Sequence, residues 1–385
     1  MIRRGLLLGV ACFWVASLNL AQHKLRLFVA LSGIAVALLL LVLQIGMLDA
    51  ARTKITLLFD YFNFDLVIVP DTYQFLFSFG TFNRVLLAEA RAGGDVVQTF
   101  GLNINASPWT ELPSKRMSTV FLIGLDDAGS FVRDPSIRAG LASLVDSHSI
   151  LIDAFSEPDT GPVAIGTEAK IADEKVVVAG QFKLGLFFYA EGSAIVRNTE
   201  FARYTGRDPR NASIGLLQLA KGVDPGQAKA RLAKLLPDKV QVLTHDELIQ
   251  QERAYFLSTK PLGILLYVSM IIACLVGTVI MIQVLSTEVA NRMKEYAVLK
   301  AMGSNVAFVY GIGLAQAALL GLGGLAPAGL LGAAILWFVE IRTHLPAALT
   351  LPLAGTALAI TLGLAVIAGS AVLRRVEQAD PAELF

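Results

Sequence analysis

The sequence predicts a membrane α-helical bundle of four transmembrane helices, with a large extracytoplasmic α+β domain between helices 1 and 2. Composition is the first indication: of 385 residues, 55% are hydrophobic and 16% are charged, whereas soluble domains carry about 25% charged residues. The second indication is the distribution of the apolar residues. Long runs without charge lie at 27–48, 261–285, 306–339 and 353–373, and the polar block 49–260 separates the first two.

The segment before the first span, residues 1–26, has apolar residues at helical spacing, namely Leu6, Leu7, Val10, Trp14, Ala21 and Leu25. This pattern is typical of an amphipathic helix that lies on the cytoplasmic face of the membrane. The alternative is a secretory signal peptide, with Arg3 and Arg4 as its basic region and an apolar core after them. A longer apolar run follows directly, which favours the amphipathic helix.

The polar block 49–260 is predicted to be α+β because short segments typical of strands recur in it. They lie at 64–69, 119–124, 176–182, 193–196, 214–220 and 239–243. Between the last two, Asp224 is a predicted N-cap and Pro225 the first residue of a helix that ends at Leu236. A strand, a helix and a strand of these lengths predict a split β-α-β unit.

Phenylalanine is concentrated at the start of this block, at positions 59, 62, 64, 75, 77, 79 and 82. The first interpretation is that these side chains pack in a core. The alternative is an apolar surface above the membrane that meets a lipid-like substrate or a partner.

The second span, 261–285, is about 37 Å long as a helix, which is enough to cross a bilayer. The polar segment 286–305 follows without a linker and predicts a cytoplasmic helix. One interpretation is an ordinary amphipathic loop helix. The other is a helix that contacts a cytoplasmic partner, with Leu299 and Met302 as apolar anchors inside a polar rim. The residues singled out for this contact are Arg292, Glu295, Tyr296, Leu299, Lys300, Met302 and Gly303, the last as a left-handed C-cap.

The third span, 306–339, is too long for one simple crossing, and the glycine run 321–324 with Pro327 predicts that it kinks or ends there. An extracytoplasmic loop, 340–352, leads to the fourth span, and a cytoplasmic tail, 374–385, follows it. Small residues recur every fourth position in two rows, which predicts close helix packing within the bundle or across a dimer. The rows are Gly313, Ala317 and Gly321, and Gly355, Ala359 and Gly363.

Lysine and arginine residues predict the orientation of the chain in the membrane. They flank the first span at its start, occupy the segment 286–305 and follow the fourth span, whereas the loop 340–352 contains Arg342 alone. Both termini and the segment 286–305 are therefore predicted to be cytoplasmic, and the block 49–260 lies outside.

Several classes of function are disfavoured. No Asp, Glu, Lys, Arg or His lies inside a predicted span, whereas proton- and sodium-driven carriers need an ionisable relay. The sequence lacks a P-loop motif, and its four histidines have no spacing that suits a metal site. No Ser/His/Asp or Cys/His set is suggested either, so we predict no enzyme activity, no metal and no cofactor in this chain.

The segment Arg292-x-x-Glu295-x-x-x-Leu299-Lys300-Ala301-Met302-Gly303 resembles the signature after the second span of FtsX/MacB-like permeases, the type VII ABC transporters. The tail from Ala379 to Leu384 is similar to the C-terminal ending of that family, and the order of one span, a large domain and three spans is also similar. Within the family the chain looks most like the DevC-type permeases, on the stretches 25–35, 65–69, 222–225 and 235–237.

The resemblance implies the permease subunit of an ATP-driven efflux system in a bacterial inner membrane. A separate ATPase subunit would bind ATP and Mg²⁺ and contact the helix 286–305, so this chain would not be the enzyme. A homodimer would transmit ATPase closure to the outside domain by mechanotransmission, with a periplasmic adaptor, an outer-membrane exit duct and an amphiphilic or lipid-like substrate. The alternatives are a lipoprotein-releasing or haem-extruding permease, and an FtsX-like transmembrane activator of a cell-wall hydrolase.

Overall fold

The computed structural model describes residues 13–18, 24–78, 80–112, 114–125, 129–156, 160–185, 190–293 and 306–378. The chain forms two compact units. We call the first the helical unit; it comprises residues 1–50, 264–342 and 347–385. The second, the domain unit, comprises residues 51–263 and the short segment 343–346.

The helices of the described chain follow a segment that is also helical at 13–18. They are α1 (Lys24–Asp60), α2 (Val85–Ala92), α3 (Pro135–Leu141), α4 (Asn198–Thr205), α5 (Pro225–Leu235), α6 (His245–Thr259), α7 (Pro261–Asn291), α8 (Val306–Thr343) and α9 (Leu351–Gln378). Four of these, α1, α7, α8 and α9, are long and apolar enough to cross a membrane. The predicted class of four such helices, with a large domain between the first and second, is confirmed.

The helical unit has its own core, to which all four long helices contribute. Buried side chains include Leu38 of α1, Leu285 of α7, Leu320 of α8 and Ala368 of α9. The approach of α8 to α1 is close, because a Cβ added at Gly324 would lie 2.6 Å from Ile34 Cγ2.

The third long helix, α8, runs from Val306 to Thr343 without a break. The predicted end of the membrane part at the glycine run 321–324 or at Pro327 stays a prediction, although the helix itself continues past both. A proline inside a helix removes one backbone donor, but its neighbours keep helical geometry here. A bend at this position stays a prediction.

The strands of the domain unit are β1 (Leu66–Pro70), β2 (Phe82–Asn83), β3 (Val96–Glu111), β4 (Met117–Leu125), β5 (Ser149–Asp153), β6 (Glu168–Ile171), β7 (Glu174–Phe182), β8 (Gly192–Arg197), β9 (Asn211–Ala212), β10 (Ile214–Leu219) and β11 (Val240–Thr244). Each predicted strand overlaps one of these, which confirms the α+β class. The order in the large sheet is β11-β1-β10-β3-β4-β8-β5-β7-β6.

The predicted split β-α-β unit is also confirmed. Strand β1 pairs antiparallel with both β10 and β11, so β10 and β11 run parallel on either side of it. Helix α5 connects those two strands. As predicted, Asp224 is its N-cap, with a side chain that accepts a hydrogen bond from the Gln227 N–H, and Pro225 lies at its start.

The other half of the sheet closes on itself. Strand β3 pairs with β4 and also with β6, so β3, β4, β8, β5, β7 and β6 form a closed six-stranded ring. Side chains such as Trp109, Ile152 and Val176 form the core of this barrel and are buried. The first half of β3 pairs with β10. One strand therefore belongs to both the split β-α-β half and the barrel.

The phenylalanine cluster packs in the domain core, which confirms the first interpretation for most of its members. The buried members are Phe59, Phe62, Phe64, Phe75 and Phe82. Phe77 is half-buried and contacts the ring of Phe121 at 4.9 Å between centroids. Position 79 lies outside the described residues.

Substitution of Trp109 tests the barrel core. Its side chain is 1% exposed and its Nε1–H donates to the Thr160 carbonyl at 2.9 Å. We expect Trp109→Ala to lower the free energy of unfolding by about 3–5 kcal/mol, measured by denaturant unfolding of the full chain in detergent. The matched control is Trp337→Ala, because that side chain is 63% exposed on α8. Equal effects of the two substitutions would contradict the barrel assignment.

Candidate coupling site

The end of α7 carries two buried charged side chains. The helix continues six residues past the predicted span and ends at Asn291, because residues 286–291 contain no glycine or proline. Glu288 is 8% exposed and Arg292 is 6% exposed. With Leu285 they lie on one face, at spacings of three and seven residues. The buried stripe of α7 therefore stays buried where its composition turns from apolar to charged.

Arg292 is the described member of the predicted partner-contact set. Its side chain is covered by the chain itself, although the sequence placed it in an exposed rim. The others, Glu295, Tyr296, Leu299, Lys300, Met302 and Gly303, lie outside the described residues, so the contact with a partner stays a prediction. Sequence reasoning missed Glu288. Its spacing of four residues before Arg292 is the signal that would have found it.

The two small-residue rows have different surroundings. A Cβ added at Gly313 would lie 2.5 Å from Leu373 Cδ2, and one at Gly321 would lie 3.2 Å from Thr361 Cγ2. Ala317, between them, is fully buried. This row of α8 therefore packs closely against α9.

The second row lies on α9 and has no such neighbour in the described chain. No described atom lies within 4 Å of a Cβ added at Gly355 or at Gly363, and Ala359 is exposed. A third row, which the sequence analysis missed, consists of Gly324, Ala328 and Gly332 on α8. It packs against α1, since a Cβ at Gly332 would lie 2.6 Å from Val42 Cγ1.

Helices α6 and α7 meet in a tight junction within 245–263, a part of the domain unit. Lys260 between them is extended, and its N–H donates to the Phe256 carbonyl at 3.2 Å. Pro261 then begins α7 with a φ that suits a first helical position. A Cβ added at Gly263 would lie 2.2 Å from the Phe256 carbonyl oxygen and 2.6 Å from Leu257 Cα. Only a glycine allows the two helix ends to approach so closely.

A clamp of side chains fixes α6 to the loop after β1. Glu252, fully buried, accepts hydrogen bonds from the Tyr73 hydroxyl and from the Leu76 N–H, the latter at 3.0 Å. Gln251 Nε2 donates to the Tyr73 carbonyl at 3.1 Å. We call Glu252, Gln251, Tyr73 and Leu76 the α6 clamp.

Aromatic contacts extend this clamp toward the start of α7. The rings of Phe75 and Tyr255 are stacked with centroids 5.0 Å apart. Lys260 Nζ lies 4.2 Å from the centroid of the Phe75 ring, within cation–π range. The residue between the two helices therefore contacts the same loop as the middle of α6.

Burial is the main cause of the shifted pKa values of the two ionisable side chains in the α6 clamp, Glu252 and Tyr73. Removal from water raises the pKa of Glu252 to about 7, although the hydrogen bonds from Tyr73 and Leu76 act in the opposite direction. The pKa of Tyr73 is raised well above its ordinary value, by burial first and by the neighbouring Glu252 second. When Glu252 is neutral, its hydroxyl can donate to Tyr73 Oη while its carbonyl accepts from Leu76.

The residues of the described chain offer no group of three or more His, Cys, Asp and Glu side chains that could hold a metal ion. The arrangement of α6, its clamp and the junction with α7 suits a mechanical role. Within the domain unit it holds α6 and the first residues of α7 to the loop after β1.

Glu252→Gln tests the clamp through pH. The pKa of Glu252 in the folded state lies above its ordinary value of 4.5. The contribution of Glu252 to the free energy of unfolding is therefore fully present below pH 4.5, and it is lost as the pH rises through about 7. We expect the full chain in detergent to lose up to about 3 kcal/mol between pH 5 and 8.5 from this group.

An amide mimics the neutral acid, so Glu252→Gln should remove that pH dependence and stabilise the protein at pH 8.5. Thermal unfolding at several pH values checks this. The control is Glu89→Gln, because Glu89 is exposed on α2. A pH dependence that survives in Glu252→Gln and is the same in both variants would contradict the assignment.

Gly263→Ala tests the junction. Alanine ordinarily stabilises a helix relative to glycine by about 1 kcal/mol, but the clash with the Phe256 carbonyl should reverse the sign to a loss of about 1–3 kcal/mol. Gly33→Ala on α1 is the matched control, because no described atom lies within 4 Å of its Cβ. Melting temperatures of the full chain give the answer, and equal shifts in both variants would contradict the tight junction.

Residues 267–380 match the family described as FtsX-like permease C-terminal. Among curated proteins no sequence matches this chain. Solved structures similar to part of it include the extracellular domain of the noncanonic ABC-type transporter YknZ from Gram-positive bacteria, at 14% identity and a TM-score of 0.33, over 47% of this chain and 98% of that one. Another is the periplasmic region of MacB from Actinobacillus actinomycetemcomitans, at 8% identity and a TM-score of 0.36, over 48% and 90%.

The family match covers most of α7, all of α8 and all of α9. It therefore includes three of the four membrane-length helices and the segment with the predicted partner-contact residues. The narrower similarity to DevC-type permeases stays a prediction. Over residues 267–380 the chain is similar to the FtsX-like permease family, which confirms the predicted resemblance to FtsX-like permeases in this part of the chain.

Proposed function

We propose that this protein is the permease subunit of an ATP-driven ABC efflux system. The observation that carries the proposal is the FtsX-like permease match at 267–380, in a chain with a large domain between its first and second membrane-length helices. The protein is multi-pass, and we place it in a bacterial inner membrane with both termini cytoplasmic. The distribution of lysine and arginine supports that orientation.

An FtsX-like permease implies an ABC ATPase as partner. In our proposal this separate subunit binds ATP and Mg²⁺ and hydrolyses the nucleotide, and the present chain holds no cofactor. The predicted contact helix, 286–305, would receive the movement of the ATPase. Arg292 and Glu288 would hold the base of that helix in place, since both are buried at the end of α7.

The movement would reach the outside domain through the chain connections of α1 and α7. Helix α1 continues to Asp60, beyond the 27–48 span, and α7 follows α6 across the junction at Lys260. Because the α6 clamp and Gly263 leave little room at this junction, α6 and the loop after β1 would move together. Spans without charged residues suit mechanotransmission, which needs no hydrophilic path through the bilayer.

The remaining parts of the proposal rest on the resemblance. They are a homodimer, a periplasmic adaptor, an outer-membrane exit duct and an amphiphilic or lipid-like substrate. The open face of α9 around Gly355 and Gly363 supports a further helix against it, as in a dimer. The phenylalanine cluster gives no support to a lipid-like substrate, because its described members pack in the core.

Charge and polarity changes in the predicted contact helix test the ATPase contact. We expect Glu295→Arg or Met302→Asp to lower the amount of ATPase that copurifies with the tagged protein by at least about tenfold, while membrane insertion is unchanged. Glu89→Arg, in the domain, is the charge-reversal control. Full copurification and activity in the double variant Glu295→Arg/Met302→Asp would exclude this helix as the contact.

A mass-spectrometric inventory of the proteins that copurify from the native membrane separates the functions. An ATPase with a periplasmic adaptor supports efflux. An ATPase with a cell-wall hydrolase and no adaptor supports transmembrane activation of that hydrolase, and an ATPase with a lipoprotein or haem carrier supports the other transport alternatives. The absence of any ATPase would overturn the proposal.

A further inference from the structure

The short segment between α8 and α9 belongs to the domain unit. Residues 343–346 cluster with 51–263, although the helices on either side of them belong to the helical unit. The ring of His344 stacks on that of Phe155, with centroids 3.8 Å apart and planes 19° apart. Phe155 lies two residues after β5, a strand of the barrel. The loop between two membrane-length helices is therefore packed on the barrel half of the domain.

Gly185 shows how close this contact is. A Cβ added there would lie 2.5 Å from Lys54 Nζ, 3.5 Å from the His344 carbonyl oxygen and 3.8 Å from Phe155 Cδ2. Its φ is +79°, a value that favours glycine. Three parts of the chain thus meet around one glycine: the continuation of α1, the end of β5 and the α8–α9 loop.

Buried polar contacts hold the continuation of α1 and the end of β5 together. Lys54 is 1% exposed and donates to the Leu184 carbonyl at 3.0 Å. Asp153 at the end of β5 is fully buried, and its Oδ1 accepts from the N–H groups of Phe155 and Leu184, each at 3.1 Å. Burial raises the pKa of Asp153 and lowers that of Lys54 to about 8, while the interaction of the two groups acts in the opposite direction on each. A segment held in this way suits the transfer of a displacement.

We infer that the α8–α9 loop is a second mechanical attachment between the membrane helices and the domain, with His344 as its positioning residue. The inference rests on the proposed function. In that function α1 and α7 lead into the domain along the chain. The stack of His344 on Phe155 adds a non-covalent connection, through which movement of α8 and α9 would reach β5 and the barrel. Helix α1 contacts the barrel at the same place, through Lys54.

The backbone of His344 allows the ring to be tested without a change of loop conformation. Its φ of 53° lies in the left-handed region, which asparagine and histidine adopt more readily than most residues. His344→Asn therefore removes the ring and keeps the backbone. His344→Phe keeps an aromatic ring for Phe155. His245→Asn is the matched control, because His245 also contacts a ring, that of Phe64, at another place in the domain.

The experiment is hydrogen–deuterium exchange on the full chain in nanodiscs with the ATPase that copurifies, without nucleotide and with ATP plus orthovanadate. Without nucleotide, we expect His344→Asn to speed exchange in 153–156 and 183–185 by about 2- to 10-fold, the effect of a lost aromatic pair. His344→Phe should speed exchange there less than His344→Asn does, because it keeps a ring at the cost of backbone strain. His245→Asn should leave exchange there unchanged. Equal exchange in all four proteins would overturn the contact.

The comparison with and without nucleotide distinguishes a failure of this inference from a failure of the proposed function. We expect ATP and orthovanadate to change exchange in α6 and in 183–185 of the wild type. In His344→Asn the change in α6 should remain, and the change in 183–185 should be smaller but not absent, because Lys54 still contacts Leu184. Two outcomes would overturn the second attachment and leave the proposed function standing. In the first, exchange in the wild type changes in α6 but not in 183–185. In the second, the change in 183–185 is as large in His344→Asn as in the wild type. No nucleotide-dependent change anywhere in the domain would overturn both.

Discussion

Strand β3 is the element on which the domain depends, because it belongs to both halves. Its first part pairs with β10 of the split β-α-β half, and its second part pairs with β4 and β6 of the barrel. The α6 clamp acts on the loop after β1, in the first half, whereas Lys54 and His344 contact the barrel side at β5. With β3 continuous through both, the two places belong to one hydrogen-bonded sheet rather than to two independent modules.

The sequence predicted strands β1, β4, β7, β8, β10 and β11 and missed the other five described strands, of which β3 is the longest. The strand contains Gly101, Asn103 and Pro108, residue types that are depleted in strands. Asn103 is tolerated because its side chain donates to Asn198 and accepts from the Ser213 N–H. Both partners lie more than ninety residues away. A pattern search along the chain has no access to contacts of that range.

The candidate site, like the strands, was predicted from the sequence only in part. Arg292 stood out because it follows an uncharged span and lies in a family-like motif. Glu252 did not, since a carboxylate on a helix ordinarily faces water, and its burial depends on a loop 176 residues earlier in the chain. His344 was not singled out beyond being one of four histidines without metal-site spacing, because its partner ring on Phe155 is brought to it by the fold alone. Local spacing therefore identified the end of α7, and tertiary contacts identified the path beyond it.

The small-residue rows show what the helical unit leaves open. Helix α8 uses two of its faces within the chain, the row at Gly324 against α1 and the row at Gly313 against α9. The row at Gly355 has the same spacing but no described neighbour within 4 Å. Small residues lower the cost of close helix approach and contribute little packing of their own when nothing lies against them. Among the described residues nothing covers the row at Gly355, and the dimer in the proposed function would supply a helix that packs against it.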